Sequence, residues 1–497
     1  MNARLTLASA LLLVGCGASA PGPVAPSAAK GAAPVASSST PDPEAFRNKR
    51  PEAGEHPAVV FPTPQLKTLK NGLTLYVVPK HSAVTTLSVV VRHGGGSVPL
   101  GKSGLAALTA RMLTEATQRH ASLALAEASE SLGSTLEEDA GRDESHVSIA
   151  TLTADVPRGL ELLSEVVWSP AFQPADFARV KDEWLDGLRA ERQEPARLAS
   201  LAGLRTLLGP IAGAPVSGSI PDVEKLTVAD LVAFHRRAYV PSNLAVIAVG
   251  DVTLAQLEPD VERLFGHASG APFPAPTSAV TPEQPSKLRI LLVDRKDSVQ
   301  SAIFLAQPFP RRSEAGYEAR EVLGTLLGGL FTSRLNLNLR EKHAYTYGVH
   351  GQALATRQWG AFYVATDVKT ETTADSLFEL LTELERARDP GRGAPIREDE
   401  AARARADLMH SLGARLEHTS SVADSMRGAF AEGLAADYYS KFPALVAGIP
   451  TTEVQTQAAQ LTPQRALVIV VGDRAQIQPA LKQHGFDVEL ADPKLVE

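Results

Sequence analysis

Two kinds of spacing alternate along the chain. Continuous or alternating apolar runs predict strands over residues 68–78, 87–92, 146–152, 244–251, 288–293, 301–305 and 465–473. Asn71-Gly72 inside the first run is a hairpin signal. Apolar residues three and four apart predict helices over 104–116, 123–132, 156–167, 174–192 and 316–327. Another helix starts at Thr227, a good N-cap, and runs to about Tyr239. Residues 328–349 read as a turn at Gly328-Gly329, a helix and a strand. Ser333 is the N-cap candidate, Leu335 and Leu339 share a helical face, and Tyr345, Tyr347 and Val349 suit the strand.

The pattern repeats. LAVIAVGD at 244–251 is echoed by RALVIVVGD at 465–473. Each follows a short helical stretch opened by a Thr (Thr227, Thr452) and closed by a Pro (Pro241, Pro463). Between the copies, residues 267–287 are rich in Pro, Ala and Ser and read as a linker. The expectation is an α+β protein: two homologous α/β-sandwich halves, 57–266 and 288–490, with antiparallel-rich sheets and helices on one face.

Length and composition add limits. The 497 residues are 44% hydrophobic and 21% charged, with a net charge of −7 and no long basic run. Nucleic acid is a poor partner for such a chain, because phosphate binding needs clustered Lys and Arg. The single cysteine falls at Cys16. Arg4 and the apolar run 5–14 read as a secretory signal, and Leu13-Val14-Gly15-Cys16 resembles a bacterial lipobox. On that reading 1–16 is a lipoprotein signal peptide, Cys16 carries the lipid, and 17–56 is a disordered Ala/Pro/Ser tether. The chain is then exported and anchored on the periplasmic side, and Gly17 after the Cys favours the outer membrane. The plainer alternative is an ordinary signal peptide. No other apolar run reaches 18 residues.

Candidate chemistry centres on Arg340 and Tyr347. A guanidinium at a helix end and a phenol on the next strand are suited to hold a substrate carbonyl and the oxyanion it becomes. An isolated pair of this kind is more simply a solvated helix end and a buried tyrosine. The wider string narrows the choice. Gly328, Gly329, Phe331, Ser333, Arg334, Leu335, Leu339, Arg340, Glu341, Lys342 and Tyr347 fall on a pattern that resembles the pitrilysin/insulinase (inverzincin) zinc metallopeptidases. The resemblance spans about residues 60–490. It implies two halves facing each other like a clam, with Arg340 and Tyr347 as the pair that completes the active site across from the zinc.

The same resemblance exposes a loss. Relatives read G-L-A-H-F-L-E-H-M-L where this chain has GLAALTARML from Gly104. Ala107 and Arg111 stand at the two His ligands and Ala110 at the catalytic Glu. Alignment on Pro195 puts Gly187 at the third ligand. Alanine and glycine offer no lone pair, and arginine repels a dication. No metal is expected in this chain. Asp186 is one residue off the ligand slot, about 100° away on a helix. His343 and His350 read as surface residues. The acidic run Glu137-Glu138-Asp139 reads as a solvated loop.

Two functional classes follow. The first is the non-zinc subunit of a heterodimeric peptidase, lending Arg340 and Tyr347 to a zinc-bearing H-x-x-E-H partner that cleaves peptides. The second is a catalytically inactive scaffold, or a peptide-binding lipoprotein, with the same fold.

Overall fold

The computed structural model describes residues 59–276, 278–492 and 495. The signal segment 1–16, Cys16 and the tether 17–56 lie outside the described residues. The first half runs β1 (Gln65–Thr68), β2 (Thr74–Pro79), β3 (Val84–Val91), α1 (Leu105–Leu113), α2 (Ser122–Glu130), β4 (Glu137–Ala140), β5 (Ser145–Leu152), α3 (Val156–Trp168), α4 (Pro174–Glu191), α5 (Pro195–Ala212), α6 (Ile220–Lys225), α7 (Val228–Ala238), β6 (Leu244–Gly250) and α8 (Leu254–Phe265). The second runs β7 (Arg289–Asp294), β8 (Gln300–Pro308), α9 (Tyr317–Gly324), β9 (Thr346–Ala355), β10 (Gly360–Lys369), α10 (Thr373–Arg388), α11 (Glu398–Arg415), α12 (Thr419–Glu432), α13 (Tyr438–Ala447), α14 (Thr451–Ala458), β11 (Leu467–Gly472), α15 (Arg474–Gln483) and β12 (Val488–Leu490). Two π-helical segments, Thr325–Gly329 and Asn336–Lys342, lie between α9 and β9.

Among the described residues the strands form two six-stranded sheets, ordered β1-β2-β6-β3-β5-β4 and β12-β7-β11-β8-β10-β9. The repeat holds for five strands of each sheet and fails at the outermost one, since β1 opens its half and is antiparallel to β2 while β12 closes its half and is parallel to β7. β2 and β6 are parallel, as are β7 and β11. Every later neighbour is antiparallel in both sheets. The helices that follow β3 and β8 each open at a glycine in the left-handed region, Gly104 (φ 89°) and Gly316 (φ 83°), where a side chain is strained. Thr227 caps α7 as its sequence suggests, in a reciprocal box with Asp230.

Both faces of each sheet are buried, which is why the central strands read as continuous apolar runs. On β2 and β6, Leu75, Val77, Val246 and Ala248 face the half's own helices. Tyr76, Val78, Ala245, Ile247 and Val249 face the other way, onto Val422, Ala423, Met426 and Phe430 of α12. The exchange is reciprocal. Ala199, Ala202, Leu207 and Leu208 of α5 lie on Phe304, Ala306, Ile469 and Val471 of the second sheet. Gly203 makes that approach possible, since a Cβ there would lie 2.4 Å from a ring carbon of Phe304. Each half thus covers the other's sheet with one of its own helices, α5 in one direction and α12 in the other.

The turns of β4–β5 and β9–β10 meet across the two halves. Arg357 Nε lies 3.3 Å from Asp143 Oδ1, its backbone N donates to Asp143 Oδ2 at 3.0 Å, and its Nη2 donates to the Asp143 and Arg92 carbonyls at 2.7 and 3.2 Å. Both side chains are nearly buried.

The acidic run departs from its reading as a loop. Glu137–Ala140 is the edge strand β4, antiparallel to β5. Alternation separates its charges: Glu137 and Asp139 are exposed, while Glu138 turns inward to Arg111 and Thr114. An ion pair inside the fold replaces the β-branched residues by which a strand is usually recognised.

Candidate functional site

Helix α1 presents the four-residue spacing that a metal-binding helix needs, but with other side chains. Ala107 and Ala110 are buried in the first-half core. Arg111 is partly exposed and fully engaged: Nη2 pairs with Glu115 Oε1 at 2.5 Å, Nε faces Glu138 Oε1 at 3.6 Å, and Nη1 donates to Thr114 Oγ1 at 3.1 Å. Thr114 Oγ1 in turn donates to Glu138 Oε2 at 3.1 Å. Across on α4, Arg179 pairs with Glu115 Oε2 and with Glu183 Oε1, the latter at 3.1 Å. Burial pushes the Glu138 carboxyl above the ordinary carboxylate range, against the opposing pull of the Arg111 guanidinium.

A zinc ion does not fit this set. The position of its second His carries a guanidinium already bound by carboxylates, and the positions of the first His and the base carry methyl groups. Gly187 is exposed on α4, with no atom within 4 Å of where its Cβ would stand. Asp186 points elsewhere, paired with Arg189 at 2.7 Å. In the second half, His343 stacks on Tyr345 at 4.9 Å, with Nε2 3.7 Å from Glu379 Oε1, and His350 is exposed on β9. Among the described residues no three His, Cys, Asp or Glu side chains group as a metal site.

The second half carries a different arrangement. Arg340 sits in the π-helix Asn336–Lys342, whose wide turn closes through the bond from His343 N to Asn338 O at 3.2 Å. Its guanidinium lies 3.2 Å over the centre of the Phe331 ring, its Nη2 donates to the Phe331 carbonyl at 2.8 Å, and its Nε donates to Glu341 Oε1 at 2.8 Å. No partner takes Nη1 among the described residues. Tyr347, seven residues on, stands near the start of edge strand β9 and is 94% exposed. Nothing among the described residues bonds its hydroxyl, and no hydrogen bond joins it to Arg340.

The segment between the pair is held by Asn336. Its Nδ2 donates to the carbonyls of Leu330 and Val349 and to Ser333 Oγ, all at 3.0 Å, and its Oδ1 accepts from Val349 N at 2.9 Å. Ser333 therefore accepts from a side chain and caps no backbone N–H, unlike the expectation from sequence. One buried carboxamide fastens the Phe331 loop and β9 together. The sequence pattern marks Arg340 and Tyr347 but not the roles of Phe331 and Asn336. Phe331 was in the matched string, and the clue was its position in a polar turn.

Comparison with known proteins gives this geometry a context. Residues 76–204 match the family model "Insulinase (Peptidase family M16)", and residues 225–408 match "Peptidase M16 inactive domain". An uncharacterized zinc protease of Mycobacterium tuberculosis is 29% identical over 364 residues, 72% of this chain and 81% of that protein. A probable inactive metalloprotease of Bacillus subtilis is 25% identical over 310 residues, 57% of this chain and 70% of that protein. Among solved structures, a peptidase M16 inactive domain from Pseudomonas fluorescens superposes with a TM-score of 0.75 at 23% identity, covering 82% of this chain and 98% of that one. A protease from Helicobacter pylori superposes with a TM-score of 0.77 at 18% identity, covering 83% and 99%.

Proposed function

The chain belongs to the M16 (pitrilysin/insulinase) peptidase family as one of its inactive, non-zinc homologues, and from that premise we propose that it is the non-zinc subunit of a two-chain peptidase. The observation that carries this reading is the contrast between its halves. In the first, the zinc positions hold an interlocked Arg–Glu cluster and two methyl groups. In the second, Arg340 is clamped with Nη1 unengaged, and Tyr347 stands exposed with an unengaged hydroxyl. A tyrosine kept outside any core, seven residues after a fixed guanidinium, is suited to a ligand from outside the chain.

On this reading a zinc-bearing partner supplies the activated water. Arg340 orients the peptide backbone and offsets the charge that develops on the scissile carbonyl oxygen, and Tyr347 donates a hydrogen bond to the same oxygen. Attachment to the periplasmic side of a membrane through Cys16 belongs to the same proposal. It is supported by the lipobox-like LVGC at the only cysteine, and Cys16→Ser is expected to release the protein from the membrane fraction.

The test mixes the purified chain with a zinc-bearing chain of the same family and follows assembly by light scattering and cleavage of an unfolded peptide. A 1:1 complex that cleaves is expected. Tyr347→Phe should lower its kcat by about 10²–10³, the usual loss for one oxyanion donor, with assembly and the partner's zinc content unchanged. A wild-type rate for Tyr347→Phe would turn the reading into that of a scaffold.

A further inference from the structure

Phe331 is 73% exposed. A phenylalanine in that state contributes little to the core, and its placement calls for another reason. Its ring lies under the Arg340 guanidinium, 3.2 Å from centroid to Cζ, and its own carbonyl accepts from Nη2 of the same group at 2.8 Å. Glu341 takes Nε from a third side. A long, flexible cation is thereby held at three points while Nη1 stays available. The loop that carries Phe331 is itself fixed: Ser333 N donates to Leu330 O at 3.0 Å, and Asn336 binds Leu330 O and, through Val349, the strand of Tyr347.

We infer that Phe331 is a positioning residue, an aromatic platform that sets the direction of Arg340 toward the peptide backbone. The inference rests on the reading of Arg340 given above. Guanidinium–ring contacts contribute enough to change a population about two- to five-fold at exposed sites and about thirty-fold where the cation is desolvated. Without the platform the guanidinium keeps its charge but loses its direction. Binding of the peptide, which draws on many contacts, then changes little, and the rate of the step that needs the charge in place falls.

Three variants and two readouts separate the possibilities. In the zinc-bearing complex, Phe331→Leu should lower kcat about two- to thirty-fold with KM nearly unchanged, and Phe331→Tyr, which keeps the ring, should restore the wild-type rate. In the isolated chain, the Arg340 Nε–Hε resonance, assigned by its loss in Arg340→Lys, should be ring-current shifted in wild type and in Phe331→Tyr and move to the ordinary arginine position in Phe331→Leu. If Arg340→Lys impairs the complex and Phe331→Leu does not, the positioning role is overturned while the proposed function stands. If Arg340→Lys leaves the complex at its wild-type rate, the proposed function fails, and the resonance decides the platform alone: an unshifted signal in wild type overturns it.

Discussion

The carboxamide of Asn336 occupies both backbone hydrogen-bonding groups of Val349, donating to its carbonyl at 3.0 Å and accepting from its N–H at 2.9 Å. It does for β9 at that position what a neighbouring strand does elsewhere in a sheet. An open edge invites pairing with another chain, and here a side chain closes part of it. Asn336→Leu is expected to leave both groups of Val349 unpaired in a buried setting and to destabilise the protein by about 1–3 kcal/mol. The Val349 amide should exchange with solvent much faster than its neighbours on β10. Unchanged exchange would mean that the carboxamide is dispensable.

At the degenerate metal positions, the purified chain is expected to carry well under one zinc per molecule, measured by elemental analysis after mild dialysis. Ala107→His with Arg111→His should not create a peptidase, since the base and the third ligand would still be absent. The double variant should also melt at a lower temperature, because Glu115, nearly buried, would lose Arg111 and keep, among the described residues, Arg179 alone. Gly187→Glu has open space to enter. Near-stoichiometric zinc in the wild-type chain, lost on chelation, would refute the alignment of these four positions.

The pair between Asp143 and Arg357 fastens one hairpin turn of each half to the other. Arg357→Met should cost about 3–5 kcal/mol, the usual loss when a largely buried ion pair is deprived of one partner. Asp143→Asn should cost less, because the backbone carbonyl at 143 still accepts from Arg357 Nη2. Denaturant midpoints for the two variants check the order, and equal losses would assign the effect to charge alone.

The pH dependence has a defined sign at one histidine. His235 on α7 packs against Tyr239 and Phe172, and its Nε2 bonds the Val167 carbonyl at 2.8 Å. Burial depresses its pKa to about 4. The unfolded chain binds a proton near the ordinary value of about 6.5 and the folded chain does not. Stability is therefore full above about pH 6.5, falls as the pH drops toward 4, and levels off below that as far as this group is concerned. His235→Phe should flatten the stability profile between pH 6.5 and 4. An unchanged slope there would show that other groups carry it.

Much of the fold is legible in the sequence because local pattern and final environment agree. Asn71-Gly72 marks the β1–β2 hairpin, and Asn71 Nδ2 goes on to bond the carbonyls of Phe265, Gly266 and Ala268. The paired VGD runs become β6 and β11, equivalent strands of the two sheets. What escapes is the choice of partner. The small and apolar residues of α5 announce a buried face, but no spacing says that Phe304 and Ile469, each a hundred residues or more later, will cover it. β4 is hidden because its inward charge is neutralised by Arg111 on another element. The Arg340–Tyr347 pair is visible as a motif, whereas its support is a ring nine residues away whose stacking depends on the loop's path.

The exchange of α5 and α12 bears on how the chain acquires its structure. Until the second sheet has been made, the apolar side of α5 and one face of the first sheet have nothing to cover them. Synthesis from the N-terminus therefore yields a half-molecule with two sticky surfaces that stay uncovered until most of the second half has been added. Such long waits between making a surface and burying it slow folding and invite aggregation. A newly made chain of this kind is expected to gain more from a holding chaperone than its size alone suggests. Two fragments cut between α8 and β7 should each be insoluble when made alone and recover solubility when made together.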